Sequence, residues 1–192
     1  MNSLLIENST ESGTVAVAGE KEILVRQKFA KAGELALAIR EIFLKLGAPD
    51  EIIVGIGPGS YTGLRVASAT AIGIQLALGC PAFGCPSVFG YRNVSYHVVG
   101  DARLGAVFLA SVKDKRLTRG PELLPAEKFQ SLRPRLGDAP IFAIGPVPGS
   151  PDLPIIRPEA EYLIRCRENF VPSLEPLYLK EPHITLKRRP DL

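Results

Sequence analysis

Short apolar runs separated by polar turns dominate the first half of the chain. Residues 4–8, 14–18 and 23–29 each form such a run, and the segments between them contain Gly and hydroxyl residues. Runs of this length bounded by turn residues predict strands, and their close spacing predicts an antiparallel meander. The pattern then predicts helices over 34–46 and 62–78, a buried strand over 52–57 and a short strand over 81–85.

The second half opens with a similar unit. A strand over 96–99, a Gly-containing turn over 100–105 and a strand over 106–112 repeat the order seen at residues 4–18. Two halves that begin alike predict a duplicated lobe. Most of the 17 Pro follow residue 96, so short elements are predicted there: helices over 125–132 and 159–165 and a strand over 141–144. The predicted lobes are residues 1–92 and a smaller unit at 93–192.

The two helices predicted in the first half carry more apolar surface than one sheet needs. On a helical wheel at about 100° per residue, the first helix has an apolar stripe facing the sheet, with Leu37 and Leu44 on the opposite side. The stripe consists of Leu35, Ile39, Ile42, Phe43 and Leu46.

The second helix is apolar in nearly all directions, and small residues recur on it at Ala69, Gly73 and Ala77. This pattern predicts a helix buried on two sides, against its own sheet and against either another helix of this chain or a partner. No charged residue occurs between Val66 and Tyr91. A membrane span is the weaker interpretation, because polar residues and prolines interrupt the stretch and strand-like sequence follows it.

Composition and charge limit the classes of function that fit this chain. The 192 residues carry a formal net charge of +3, which is too balanced for a dedicated nucleic-acid binder. The 3 Cys do not fit a disulfide framework or a metal knuckle, and the 2 His lie far apart. We therefore expect no metal site. The N-terminus shows no signal-peptide pattern, which predicts a cytoplasmic protein.

The most distinctive motif joins a predicted strand to a predicted helix at residues 55–65. It reads Gly-Ile-Gly-Pro-Gly-Ser-Tyr-Thr-Gly-Leu-Arg. A helix N-terminus beside glycines can bind an anion. The motif nevertheless lacks the Lys of a P-loop, the dinucleotide-binding spacing and the flanking glycines of a nucleophile elbow. The alternative is a tight turn capped by Ser60 or Thr62.

Two acidic residues, Glu7 and Asp101, follow apolar strands at equivalent places in the repeated units. Acids placed there could orient a metal-bound phosphate, but the favoured interpretation is that they hydrogen-bond their own turns. The candidate phosphate or nucleotide contacts are Glu7, Ser9, Thr10, Gly59, Ser60, Asp101 and Arg103.

Residues 57–65 closely resemble the signature of the bacterial TsaB/YeaZ family, which usually carries Phe at the position of Tyr61. Residues 6–10 resemble the family's opening Ile-Asp-Thr-Ser-Thr, and residues 101–108 resemble its Asp-Ala-Arg hairpin. Residues 176–180, Pro-Leu-Tyr-Leu-Lys, resemble its closing Pro-x-Tyr-x-Arg. The match runs from residue 4 to residue 180.

This resemblance implies an α/β protein with an actin-like (ASKHA, ribonuclease H-like) fold of two related lobes, the second abbreviated. It implies a non-catalytic scaffold or activator in the synthesis of threonylcarbamoyladenosine on tRNA. Such a subunit pairs with the catalytic subunit TsaD, and the ATPase TsaE joins the complex. The family pairs through the two first-lobe helices. The interface residues implied here are Leu37, Leu44, Leu64, Arg65, Ala69, Ile72, Gly73 and Leu76.

The resemblance also implies that this chain holds no catalytic residue, no metal and no required cofactor. ATP or ADP with Mg would then bind only within the complex. A homodimer through the same helices is expected in the absence of TsaD. Contact with tRNA is expected through the complex, to which the basic tail at 180–192 (Lys180, Lys187, Arg188, Arg189) could contribute phosphate contacts.

Two departures from the family pattern bear on function. Glu7 stands where the family has Asp, and residues 29–34 lack the His-Ser pair common there. Both weaken the case for independent nucleotide turnover. The alternative function is an ATP-binding phosphotransferase or ATPase of the same superfamily, since the fold permits either. A metallopeptidase is the weakest interpretation, because only two distant His are present.

Overall fold

A five-stranded sheet forms the first half of the molecule in the computed structural model, which describes residues 1–179. The strand order is β3-β2-β1-β4-β5. The strands are β1 (Ser3–Glu7), β2 (Gly13–Ala18), β3 (Ile23–Phe29), β4 (Glu51–Gly55) and β5 (Ala82–Cys85). The first three are antiparallel, which confirms the predicted meander, whereas β4 and β5 run parallel to β1.

Two helices connect the parallel strands and cover one face of this sheet. A 3₁₀ turn at Ala32–Glu34 leads into α1 (Leu35–Leu46), and α2 (Tyr61–Leu78) follows β4. Alternate residues of β1, such as Leu4 and Ile6, pack beneath these helices, whereas Leu5 packs on the opposite face. Each helix ends at a glycine with positive φ, Gly47 at 77° and Gly79 at 70°.

A four-stranded sheet forms the second half and repeats the plan of the first sheet without its fifth strand. Its order is β8-β7-β6-β9. The elements are β6 (Tyr96–Asp101), β7 (Ala106–Lys113), β8 (Arg116–Pro125), α3 (Ala126–Leu132), a 3₁₀ turn (Arg133–Arg135) and β9 (Ile141–Ala143). The repeat predicted from residues 4–18 is confirmed. Strand β8 was not predicted, because it is an edge strand with polar, partly exposed residues and lacks an apolar run.

The last described segment returns to the first sheet. Helix α4 (Ala160–Leu163) and a 3₁₀ turn at Ile164–Asn169 pack on the face opposite α1 and α2, together with a 3₁₀ turn at Ser87–Phe89. The Ala160 amide donates to Thr14 Oγ1 at 2.7 Å. Residues 160–179 therefore belong spatially with the first sheet. The predicted division at 92/93 stays a prediction, and the basic tail at 180–192 lies outside the described residues.

The remaining predicted helices and strands agree with the structure to within a few residues at their ends. Among the helices of residues 1–179, none is long and apolar enough to span a bilayer.

Candidate interaction surface

Helix α1 presents one face to the sheet and a second apolar face to solvent. Leu35, Ile39 and Ile42 are buried, as the helical wheel predicted. Leu37 and Leu44, on the other side, are 53% and 76% exposed. The other two members of the predicted stripe are less enclosed, because Phe43 is half-buried and Leu46 lies at the exposed end of the helix.

Helix α2 is buried on its sheet side, and its outer side is exposed within residues 1–179. The side facing the sheet consists of Gly63, Leu64, Ala67, Ser68 and Ala71. On the outer side, Ile72, Leu76 and Leu78 are exposed, and Leu76 reaches 80%. Ala69, Gly73 and Ala77 are exposed between them, and a Cβ added to Gly73 would meet no atom within 4 Å. The second burial predicted for this helix is therefore not supplied by the described part of the chain.

Leu64 corrects the set of predicted interface residues. It is 1% exposed, because its spacing from Ala67 and Ala71 places it on the sheet side of α2. Its side chain also packs under the glycine motif, where Cδ1 lies 2.8 Å from the position of a Cβ on Gly57. Leu64 supports the core and is not available to a partner.

An apolar groove of about 400 Å³ separates α1 from α2. Ala36, Phe43 and Leu44 line it from α1, and Thr70 and Ile74 line it from α2. None of these residues except Leu44 was among the predicted site residues. The sequence already marked Ile74 as one of the apolar residues of α2. The sequence does not show which side of α2 faces α1, and only the structure places Ile74 in this groove.

The glycine motif packs against the turn that follows β1. A Cβ on Gly59 would lie 2.1 Å from the Ser9 carbonyl oxygen, and a Cβ on Gly63 would lie 2.0 Å from that of Asn8. Ser60 caps α2, because its side chain accepts from the Gly63 amide at 3.3 Å. The motif is therefore a capped turn, which agrees with the structural interpretation given above.

Glu7 and Ser9 are enclosed by this turn. Each is 1% exposed. The Ser9 amide donates to Glu7 Oε1 at 2.7 Å, whereas Glu7 Oε2 and Ser9 Oγ have no hydrogen-bond partner among the described residues. Burial raises the pKa of Glu7 above its ordinary value, and contacts with Ser9 and Ser87 offset this only in part. A phosphate cannot reach this carboxyl without rearrangement of the turn.

The other predicted phosphate contacts serve local turns. Thr10 Oγ1 donates to the Ser12 carbonyl at 2.8 Å. Asp101 Oδ1 accepts from the Arg103 amide at 2.8 Å, and the two side chains form an ion pair at 3.6 Å. Arg103 has φ of 63°, so the acid stabilises a hairpin turn in the left-handed region. The favoured interpretation of Asp101 as a turn residue fits this geometry.

Residues 1–179 contain no cluster of three or more His, Cys, Asp or Glu side chains arranged to hold a metal ion. His97 is buried, with Nδ1 at 2.8 Å from Ser111 Oγ and Nε2 at 3.0 Å from the Leu136 carbonyl. Both ring nitrogens are therefore engaged. His183 lies outside the described residues.

Arg65 marks one end of the exposed α2 surface. Its guanidinium lies 4.0 Å from the centre of the Tyr61 ring, and its Nε donates to the Tyr178 hydroxyl at 2.9 Å. The predicted site included Arg65 but neither tyrosine. Tyr178 was visible in the closing motif, but its contact with α2 was not foreseen.

Comparisons with known proteins agree with this fold. Residues 32–104 match the family model described as "TsaD: tRNA N6-adenosine threonylcarbamoyltransferase". YeaZ from Pseudomonas aeruginosa superposes with a TM-score of 0.71 at 24% identity, covering 93% of this chain and 99% of that one. A crystal structure of an uncharacterized protein similar to peptidase YEAZ, also from Pseudomonas aeruginosa, gives 0.70 at 22%, with the same coverage.

Curated sequence relatives match part of the chain. An uncharacterized protein of Mycobacterium leprae is 39% identical over 88 residues, which is 44% of this chain and 24% of that protein. One of Mycobacterium bovis is 33% identical over 114 residues, which is 58% of this chain and 51% of that protein. The chain thus spans between a quarter and a half of the length of these relatives.

The chain has the actin-like fold of two related lobes predicted from the sequence, and its second sheet is the smaller. The chain shares the fold of YeaZ, and residues 32–104 match the TsaD family model, in agreement with the resemblance described above. That segment begins just before α1 and includes all of α2.

Proposed function

We propose that this chain, with its YeaZ fold and TsaD-family segment, is a non-catalytic subunit that pairs with a TsaD-type threonylcarbamoyltransferase acting on tRNA. The observation that carries the proposal is the exposed apolar surface formed by Leu37, Leu44, Ile72 and Leu76. Exposed apolar side chains of this kind, on two helices that cover the same face of a sheet, are typical of protein interfaces.

The match at residues 32–104 supports the choice of partner. It covers both helices that bear this surface, so a TsaD-type protein would carry a related pair of helices. Related surfaces can pack about a pseudo-two-fold axis, in which each helix pair faces the other. The same relationship allows two copies of this chain to pair when the TsaD-type protein is absent. We include that homodimer in the proposal.

The proposed non-catalytic role is supported by the positions of the side chains that could take part in catalysis. Glu7 and Ser9 are enclosed under the glycine motif, and His97 is held by two hydrogen bonds. The proposal therefore assigns transfer chemistry, ATP or ADP and Mg to the partners, including a TsaE-type ATPase. Contact with tRNA occurs through the complex, in the cytoplasm. The alternative of an ATP-dependent phosphotransferase would require a phosphate to reach Glu7, which the turn after β1 encloses.

Co-expression with a TsaD-type protein, followed by size-exclusion chromatography, tests the pairing. We expect a stable complex with the wild-type chain and its loss with Leu76→Asp, because a charge would be buried in an apolar interface. Leu104→Asp is the matched control, since Leu104 is 85% exposed but lies on the β6–β7 hairpin. Ile72→Asp should behave like Leu76→Asp.

Circular dichroism must show native secondary structure for each variant. Retention of the complex by folded Leu76→Asp and Ile72→Asp variants would contradict the proposed surface. Calorimetry of the isolated chain with Mg-ATP addresses the alternative function. Saturable heat would contradict the assignment of nucleotide binding to the partners.

A further inference from the structure

The guanidinium of Arg65 is held in place from two sides. It stacks over the ring of Tyr61 at 4.0 Å, and its Nε donates to the Tyr178 hydroxyl at 2.9 Å. The centroids of the two rings lie 5.1 Å apart, so the rings also contact each other. The contact of Arg65 with these tyrosines also raises the pKa of Arg65, chiefly through the hydrogen bond to Tyr178. Arg65 is therefore a fixed cation at the solvent-exposed start of α2.

The segment that supplies Tyr178 is itself anchored to the first sheet. Val171 and Gly84 exchange two backbone hydrogen bonds, at 2.8 and 2.9 Å. Further along, the Leu177 amide donates to the Ile56 carbonyl at 2.7 Å, and Leu174 packs into the core beneath α2. Tyr178 thus reaches Arg65 from a held backbone, although the two residues are 113 positions apart in the chain.

A groove of about 650 Å³ lies between α2 and this segment. Ala69 and Ile72 form its α2 wall, and Pro172, Leu174 and Pro176 form the other wall. Arg65 and Tyr178 also line it. The groove shares Ile72 with the proposed partner surface, so the two adjoin at that residue.

The terminal nitrogens of Arg65 have no carboxylate partner within residues 1–179. A guanidinium whose Nε is already bonded still offers a planar pair of donors, which fits the two oxygens of a carboxylate. Because Tyr61 and Tyr178 hold it, less conformational freedom is lost when that acceptor binds.

We infer that Arg65 is a preformed receptor for an Asp or Glu side chain of the TsaD-type partner, seated where the partner enters the groove beside α2. The inference rests on the proposed function and adds the chemistry of one contact. A protein carboxylate fits better than a nucleic-acid phosphate, because the groove walls beside Arg65 are largely apolar and can pack against the apolar side chains of a protein segment. Tyr178 is a positioning residue, which acts through Arg65.

Affinity measurements with the purified TsaD-type protein test this receptor. Arg65→Lys keeps the charge but loses the planar fork, and we expect the dissociation constant to rise about tenfold. Tyr178→Phe keeps the ring but removes the acceptor for Nε, and we expect a rise of about threefold. Arg116→Lys, on the exposed strand β8, is the matched control and should leave the affinity unchanged.

A double-mutant cycle separates positioning from general structure. In the Arg65→Lys background, Tyr178→Phe should have no further effect, whereas a purely structural tyrosine would add its full effect. Full additivity would overturn the positioning role. Unchanged partner affinity in folded Arg65→Lys would overturn the receptor.

Three further results would contradict the inference or the proposed function. If Arg65→Lys weakens only self-association, measured by sedimentation of the isolated chain, the occupant is a second copy and the inference is wrong. If it weakens only tRNA binding by the assembled complex, the acceptor is a phosphate and the inference is also wrong. If the wild-type chain does not pair with the TsaD-type protein, the proposed function fails, whatever Arg65 does.

Discussion

The backbone N–H of Ser60 donates to the carbonyl oxygen of Ser9 at 2.6 Å, which ties the glycine motif to the turn after β1. This close approach is possible because Gly59 has no Cβ, which would otherwise lie 2.1 Å from the same oxygen. The Gly57 amide is also engaged, by Ser87 Oγ at 2.9 Å. The amides of Gly57 and Ser60 are therefore used in internal packing, and a phosphate that bound to them would have to displace these bonds.

The glycines of α2 provide a matched test of this packing. Gly63→Ala places a methyl group 2.0 Å from the Asn8 carbonyl oxygen, and we expect a loss of about 2–3 kcal/mol in the free energy of unfolding. Gly73→Ala lies in the same helix with open space around it, and we expect a gain of up to about 1 kcal/mol. Chemical denaturation of both variants checks the difference.

Equal stability changes for the two variants would contradict the packing role of Gly63. The Gly73→Ala variant has a second use, because its methyl group lies on the proposed partner surface. Weaker pairing without loss of stability would support close helix contact at that position.

The Glu7→Gln variant tests whether the enclosed carboxyl of Glu7 makes the stability of the fold depend on pH. The folded-state pKa of Glu7 is raised, so between pH 4.5 and that pKa the folded state binds more protons than the unfolded state. The free energy of unfolding contributed by Glu7 therefore falls as pH rises through the folded pKa. Glutamine stays neutral, so Glu7→Gln should be more stable than wild type near pH 8 and similar to it near pH 4.

Urea unfolding across pH 4–8 measures this trend. Glu22→Gln, in the exposed turn between β2 and β3, controls for the general effect of removing a carboxylate. A stability difference between Glu7→Gln and wild type that stays constant with pH would contradict the raised pKa.

Most of the fold followed from periodicity and turn residues, but β8 did not. Its residues include Arg119, Pro121 and Glu122, and it forms the edge of the second sheet. An edge strand that is half-exposed on both faces has no strong apolar alternation. The repeat could have predicted β8, because a second meander like that of β1–β3 has a third strand after β7.

The sequence predicted only part of the candidate surface, because the hydrophobic pattern shows the orientation of α1 but not that of α2. On α1, two opposed stripes fixed the outward positions of Leu37 and Leu44. Helix α2 is apolar on almost every side, so its pattern could not tell that Leu64 faces inward and Ile72 outward. Packing against the sheet decides that rotation. The contact between Arg65 and Tyr178 depends on the path of the returning chain, which no local pattern encodes.

The ion pair between Arg167 and Glu51 holds the returning segment to β4. Arg167 Nη1 lies 3.2 Å from Glu51 Oε2, and the glutamate is 5% exposed. Burial would raise the pKa of Glu51, but bonds from Arg167 and Ser3 outweigh it and lower the pKa. Arg167→Gln should reduce the free energy of unfolding by about 2 kcal/mol at pH 7, because it leaves a buried carboxylate unpaired.

The lowered pKa fixes the pH range of this effect. Stability from the pair is present above pH 4.5 and is lost as pH falls through the folded pKa of Glu51. The difference between Arg167→Gln and wild type should therefore shrink in acid. Arg133→Gln, which breaks a surface pair with Asp152, is the control and should change stability much less. Equal losses for both variants would contradict the structural role of Arg167.

His97 gives a pH dependence of opposite sense to that of Glu7. Its Nε2 carries a proton, because the Leu136 carbonyl at 3.0 Å can only accept, and its Nδ1 accepts from Ser111 Oγ. Burial lowers the pKa of His97 below 6.5, so the unfolded state binds more protons there, and the stability contributed is lost as pH falls below 6.5. Denaturation at pH 8 to 5 should show a steeper loss for wild type than for His97→Gln. His183 is common to both proteins and cancels, and equal slopes would show that His97 is not the group responsible.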